Sequence, residues 1–154
     1  MLLVNGNGVT KIGEWAFSEC TSLVSVNIPN GVKQIPGAAF WKCTSLIMVT
    51  FPDGLTSIGH GAFQYCDSIM AVTLPEGLKS IDGAAFSHCS SMITITIPNS
   101  VTNIGPAAFS DCYGVVDVTY GGTKNKWLQV NSMETNPFPN RIVVHCSDGD
   151  MTVE

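Results

Sequence analysis

The apolar positions of this chain recur every 23 residues, with no insertion or deletion. One column holds Val9, Val32, Leu55, Leu78 and Val101, and the next holds Ile12, Ile35, Ile58, Ile81 and Ile104. Ala16, Ala39, Ala62, Ala85 and Ala108 follow, each beside a phenylalanine: Phe17, Phe40, Phe63, Phe86 and Phe109. Cys20, Cys43, Cys66, Cys89 and Cys112 come next, then Leu23, Leu46, Ile69, Met92 and Val115. Val26, Val49, Val72, Ile95 and Val118 precede the last column, Ile28, Phe51, Leu74, Ile97 and Tyr120. A fixed period of this length predicts a solenoid, because one unit cannot bury its apolar face alone and must stack on its neighbours.

The unit also predicts its own path. Val26-Asn27-Ile28 alternates apolar and polar side chains, as a strand with one buried face does. Strands are expected near residues 25–28, 48–51, 71–74, 94–97 and 117–120. Pro29, lacking an N–H, ends the ladder, and Asn30-Gly31 supplies turn chemistry, repeated as Asp53-Gly54, Glu76-Gly77 and Asn99-Ser100. Ala16, Phe17 and Cys20 are spaced to share one face of a short helical turn. The expected fold class is an α/β solenoid, a right-handed coil with a parallel β-sheet on one face and short helical turns on the other, its strands ~4.8 Å apart.

Three parts are expected: a partial N-terminal coil over 1–8, five 23-residue repeats over 9–122, and a C-terminal cap over 123–154. One period before Val26 stands Leu3, and Asn7-Gly8 falls under Asn30-Gly31, so the chain reads as starting inside a strand of an earlier coil, a piece of a longer array. Trp15 takes the place of the Ala or Gly found in the other units, and the fifth unit loosens at Tyr113-Gly114 and Gly121-Gly122. Beyond it, residues 123–130 read as a short amphipathic helix anchored by Trp127, Leu128 and Val130. Residues 136–140 read as a turn, 141–146 as a strand and 147–150 as a second turn, the tail being frayed or paired. The cap would cover an open sheet edge, which otherwise invites aggregation.

These columns, with Ala-Phe-x-x-Cys in register in all five units from Val9 to about Gly122, resemble the BspA-like branch of the leucine-rich repeat family. The ending Tyr120-Gly121-Gly122-Thr123 with Trp127 is similar to the C-terminal ends of that family. The resemblance implies a leucine-rich-repeat coil in a cell-surface or secreted protein of bacterial or protozoan type. It also implies a non-catalytic adhesion module whose partner is another protein, host or matrix. Periodicity by itself implies only the solenoid.

Composition narrows the partners. Charged residues make up 12 % and the net charge is −5, which excludes the basic patches that nucleic acid or an anionic membrane surface requires. No apolar run approaches the ~18 residues that membrane insertion needs, and Met1 to Gly6 lacks the basic and long apolar regions of a signal peptide. Five of the six cysteines share one column, as buried small side chains do, so they read as reduced structural thiols; Cys146 stands apart. His88 beside Cys89, and His145 beside Cys146, would point away from their neighbours, which removes a Cys–His dyad. Asp148 and Asp150 flank Gly149 without the other ligands of a calcium loop, so they read as a turn. No cofactor and no metal site is read from the chain.

Candidate binding residues lie on the strands. The outward positions would be Ser25 and Asn27, Met48 and Thr50, Ala71 and Thr73, Thr94 and Thr96, Asp117 and Thr119. Beside them runs an apolar rail of Val24, Ile47, Met70, Ile93 and Val116, either half buried under the preceding turn or exposed as an interaction strip. The largest groups there, Ile47, Met48, Met70 and Ile93, with Asp117 as the one charge, are the expected binding residues. Besides a protein partner, self-association through the uncapped N-terminal coil is expected. A structural spacer with no ligand of its own is the alternative, and an enzyme the least supported reading.

Overall fold

Because alternation in each unit puts one apolar residue between two polar ones, the strands form where that pattern sits. The computed structural model describes residues 8–130 and 137–153. Of the partial coil read over 1–8, all but Gly8 therefore lies outside the described residues, as does Asn136 of the predicted turn. The strand-face elements are β1 (Ser25–Asn27), β3 (Met48–Thr50), β5 (Ala71–Thr73), β7 (Thr94–Ile97) and β9 (Asp117–Tyr120). Every pairing observed between them is parallel and joins residues one period apart, such as Val26 with Val49 and Ile95 with Val118.

A second ladder was not foreseen. β2 (Gln34–Ile35), β4 (Ser57–Ile58), β6 (Ser80–Ile81) and β8 (Asn103–Ile104) form a four-stranded parallel sheet. Its signal was the isoleucine column, each member preceded by a polar residue. A two-residue strand is too short for alternation to announce it.

The helical turns expected around Ala16, Phe17 and Cys20, and at each equivalent place, are not formed: this segment is a run of turns. The reason lies in the backbone. Two residues per coil adopt left-handed φ of 51 to 62°: Trp15, Ala38, Gly61, Ala84 and Ala107, and four positions later Glu19, Lys42, Tyr65, His88 and Asp111. A left-handed residue interrupts a right-handed helix and costs non-glycine residues ~1–2 kcal/mol each. Hydrogen bonds between coils offset this. The amides of Ala38, Phe40 and Lys42 donate to the carbonyls of His60, Ala62 and Gln64 at 2.9, 2.8 and 2.8 Å, and the next coils repeat the arrangement. The solenoid is thus laced on a third side by backbone that sequence periodicity suggested was helical.

Between the ladders lies one continuous core. Phe40, Phe63, Phe86 and Phe109 are fully buried, and their rings stack at 5.1 to 5.7 Å with interplanar angles of 9° or less. The stack begins at Phe17, 5.1 Å from Phe40, and ends on Phe138 at 4.9 Å. Phe17 is only half buried, so the aromatic column is not closed at its first rung. Alongside it, the thiols of Cys43, Cys66, Cys89 and Cys112 each donate to the carbonyl of the phenylalanine 26 residues earlier, at 3.0 to 3.3 Å. A small side chain with a weak donor suits this corner of the coil. All six cysteines are free, but Cys20 is exposed rather than buried with its column.

After β9 the chain forms α1 (Lys124–Val130), the only helix among the described residues. Thr123 starts it: its hydroxyl accepts from the Lys126 amide at 3.3 Å, and Asp148 accepts from the Lys124 amide at 2.9 Å. Trp127 and Val130, three residues apart, share the buried face. Leu128, expected as an anchor, is 66 % exposed because it projects about a quarter-turn away. β10 (Ile142–Cys146) then adds parallel to β9, and β11 (Gly149–Val153) returns antiparallel to it, so the tail is paired.

Candidate functional site

The rail beside the strands is exposed. Val24, Ile47, Met70, Ile93 and Val116 are 42 to 70 % accessible, and Met48 is 60 % accessible. They sit where they do because each follows a buried member of the Leu/Ile/Met column by one residue and precedes the strand. Backbone ties keep the row straight: the Ile47 amide donates to Val24 at 2.8 Å, Ile93 to Met70 at 2.8 Å and Val116 to Ile93 at 3.0 Å. Met70 and Ile93 are thus neighbours, as are Val24 and Ile47; Ile47 and Met70 stand one period apart, with Met48 beside Ile47. Asp117 is exposed at the start of β9, level by strand pairing with Thr94 and Ala71. Five equivalent positions at a spacing of ~4.8 Å make a strip about 20 Å long.

The strand sheet is interrupted in the middle of this strip. β1 pairs with β3, and β5 belongs to the sheet of β7, β9, β10 and β11, but β3 and β5 are not paired. The continuous strand sheet expected from the sequence is therefore split. Beside the split stands Phe51, in a column held elsewhere by Ile28, Leu74, Ile97 and Tyr120. Its ring reaches into the next coil and meets Phe63 edge-on at 5.8 Å, and both Val49 and Phe51 stay half buried. Met48 and Met70 flank the split.

On the turn face a second feature departs from the columns. Trp15 stands where the other coils have Ala38, Gly61, Ala84 and Ala107, and Trp41 where they have Ser18, Gln64, Ser87 and Ser110. The two indoles lie 5.8 Å apart, edge to face at 72°. Rings continue along this face: Trp41 to Tyr65 at 6.2 Å and Tyr65 stacked on His88 at 4.4 Å. His88 approaches Asp111 at 3.3 Å, and the Tyr113 hydroxyl donates to Asp111 at 2.8 Å, an attachment that raises the phenol pKa. A groove of about 400 Å³ opens beside the indoles, with Glu14, His60 and Gln64 at its edges. Sequence reading noted Trp15 as an oddity; the signal it missed was that Trp41, 26 residues on, breaks its own column as well.

His88 and Cys89, adjacent in the sequence, face different partners. The Cys89 thiol faces the Phe63 carbonyl, while His88 faces Tyr65 and Asp111. Burial raises the Cys43 thiol to about 11 and holds Cys66 and Cys89 well above the ordinary thiol range. Protonated thiols are poor nucleophiles and poor metal ligands. His145 bonds Asp150 at 2.8 Å, which raises its pKa, and Asp148 caps α1. No group of three or more His, Cys, Asp or Glu side chains among the described residues is placed to hold a metal ion, and no described helix is long and apolar enough to cross a membrane. At the first coil Val9, Ile12 and Phe17 are half buried around a small apolar groove. Residues 1–7 of the N-terminal coil, through which self-association was expected, lie outside the described residues.

Residues 3–116 match the BspA-type leucine-rich repeat region, in six copies. Among solved structures, the chain is similar to a leucine-rich cell surface protein of Faecalibacterium prausnitzii, with 32 % identity over 88 % of this chain and a TM-score of 0.81. It is also similar to a leucine-rich repeat protein of T. pallidum, at 39 % identity over 75 % and a TM-score of 0.71. A third, from Bacteroides ovatus, shows 37 % identity over 69 % and a TM-score of 0.66. The chain spans 35, 54 and 27 % of the length of those three proteins. No curated protein matches it.

Proposed function

The chain belongs to the BspA-type leucine-rich repeat family, and from that premise we propose that it is a non-catalytic protein-binding module serving adhesion in a cell-surface or secreted protein. The observation that carries this reading is the exposed apolar strip of Val24, Ile47, Met70, Ile93 and Val116, with Met48 beside it. Folding does not require these side chains to be large, since the core is complete beneath them. Exposed apolar patches on soluble proteins mark interaction surfaces. Hot spots fall on large, desolvated groups, so the contact centres on Ile47, Met48 and Met70, extends to Ile93, and ends at Asp117, the one charge on the strands of the repeats. The cell-surface setting is supported by the similar F. prausnitzii protein, which is itself a cell surface protein.

We further propose that residues 123–154 act as a C-terminal cap. Trp127 packs edge-on against Tyr120 at 5.2 Å, Phe138 continues the ring stack, and β10 extends the sheet beyond β9. Stable interfaces exceed ~1,000 Å², so a 20 Å strip alone gives a modest contact, and many copies on one surface strengthen it by avidity.

Changing Met48 and Met70 together to Glu places two charges in the centre of the strip while leaving the buried columns intact. Adhesion of this chain to immobilised host-cell or matrix proteins should fall at least tenfold, with the circular dichroism spectrum unchanged. Undiminished adhesion by the folded variant would exclude the strand face. Absence of saturable adhesion by the unaltered chain would favour the spacer reading.

A further inference from the structure

We infer that the turn face carries a second binding site, for a neutral sugar ring, built by Trp15 and Trp41. Columns that repeat in every coil serve the fold. Two indoles that break different columns in adjacent coils, and meet at 5.8 Å, are not needed by it. Trp15 is 57 % exposed and left-handed at φ 59°, in a column where alanine and glycine suffice. The left-handed backbone recurs at this column in every coil and belongs to the fold; the large exposed ring does not recur and points to a binding role rather than to packing.

The groove selects the ligand class. Its volume of about 400 Å³ lies within the ~300–1,000 Å³ of small-molecule sites. Its lining combines the aromatic surface of Trp15 and Trp41 with the polar residues Glu14, His60 and Gln64 and the small residues Gly37, Ala38 and Gly61. A purely apolar ligand would strip water from those three polar groups without replacing it. A pyranose meets both needs: its C–H face is electropositive and lies against the negative face of an indole, while its hydroxyls reach the groups at the edge. Glu14 disfavours an acidic sugar. Lys42, whose ammonium stands 4.1 Å from the centre of the Trp41 ring, already occupies that ring as a cation and disfavours a second one. A terminal hexose of a protein-linked glycan and a unit of a free polysaccharide share this chemistry.

Titration of the whole chain with maltohexaose, cellohexaose and mannohexaose, followed by tryptophan fluorescence, reads the site directly. Trp127, buried in the C-terminal segment, supplies a signal that does not change. Saturable quenching by at least one of them is expected. Trp15→Ala should weaken it about tenfold or more, the loss of one stacking partner, and Trp15→Phe should largely retain it. A glycoprotein compared before and after enzymatic deglycosylation separates the sources: binding lost on deglycosylation identifies a protein-linked glycan, and binding of the free hexaoses alone identifies a polysaccharide. No quenching by any hexaose, equal binding by the Trp15→Ala variant, or a response to tetramethylammonium without one to sugars would overturn the assignment. Unlike the strand-face contact, this site is indifferent to Met48→Glu and Met70→Glu, so either can fail without the other.

Discussion

Phe63→Ala should lower the stability of the chain by ~3–5 kcal/mol, the range for removing a fully buried phenylalanine and leaving a cavity. Phe63 has no exposed surface; it stacks on Phe40 at 5.1 Å and on Phe86 at 5.2 Å, and receives the edge of Phe51 at 5.8 Å. Deleting it opens a hole at both of its coil interfaces. In an array where each coil touches only its neighbours, a central defect acts on two interfaces and a terminal one on fewer. Phe17 is half buried and stacks on Phe40 alone among the described rings. Phe17→Ala should therefore cost ~1–2 kcal/mol, scaled to the smaller area uncovered. Urea unfolding of the two variants separates them, and equal losses would contradict the stacked core.

Gly59→Ala should also destabilise the chain strongly, although it adds one methyl group. A Cβ on Gly59 would stand 2.7 Å from the Gly37 amide nitrogen and 2.8 Å from the Pro36 carbonyl carbon. Both are backbone atoms of the preceding coil, so no side chain can rotate away, and the two coils must separate. Overpacking of this kind costs ~1–3 kcal/mol or more. Gly37→Ala is the control, because its Cβ would come no closer than 3.4 Å to the His60 carbonyl oxygen. The coils alternate here: Gly59-His60 and Gly105-Pro106 place glycine first, and Pro36-Gly37 and Asp82-Gly83 place it second. The midpoint of denaturant unfolding should move clearly for Gly59→Ala and little for Gly37→Ala. A reversed order would mean that the coils are not stacked in this register.

What could be read from the sequence was whatever repeats. The strand columns, the buried phenylalanines and the shared cysteine column all follow from a period that puts chemically like residues at like places. The turn face was misread because helical spacing and this chain of turns bury the same residues, Ala39, Phe40 and Cys43. The difference lies in φ at Ala38 and Lys42, and neither side chain advertises a left-handed backbone as glycine or asparagine would. The split between β3 and β5 leaves no mark in the columns, because Val49 and Phe51 satisfy the apolar pattern as well as their equivalents do. Leu128 was misplaced because two adjacent large apolar residues cannot both face inward from one helix. For the strand face, sequence placed Met48 outward but left open whether a turn half covered the rail of Val24, Ile47, Met70, Ile93 and Val116; their accessibility answers that.

Oxidative footprinting of the methionines tests the strand-face contact most directly. Met48 and Met70 are exposed, Met92 is buried in the core, and Met151 is half buried on β11. In the free chain Met48 and Met70 should oxidise faster than Met92 and Met151. When the chain is saturated with an adhering protein, both should become protected together while Met151 keeps its rate. Unchanged oxidation of Met48 and Met70 in the saturated complex would contradict the account.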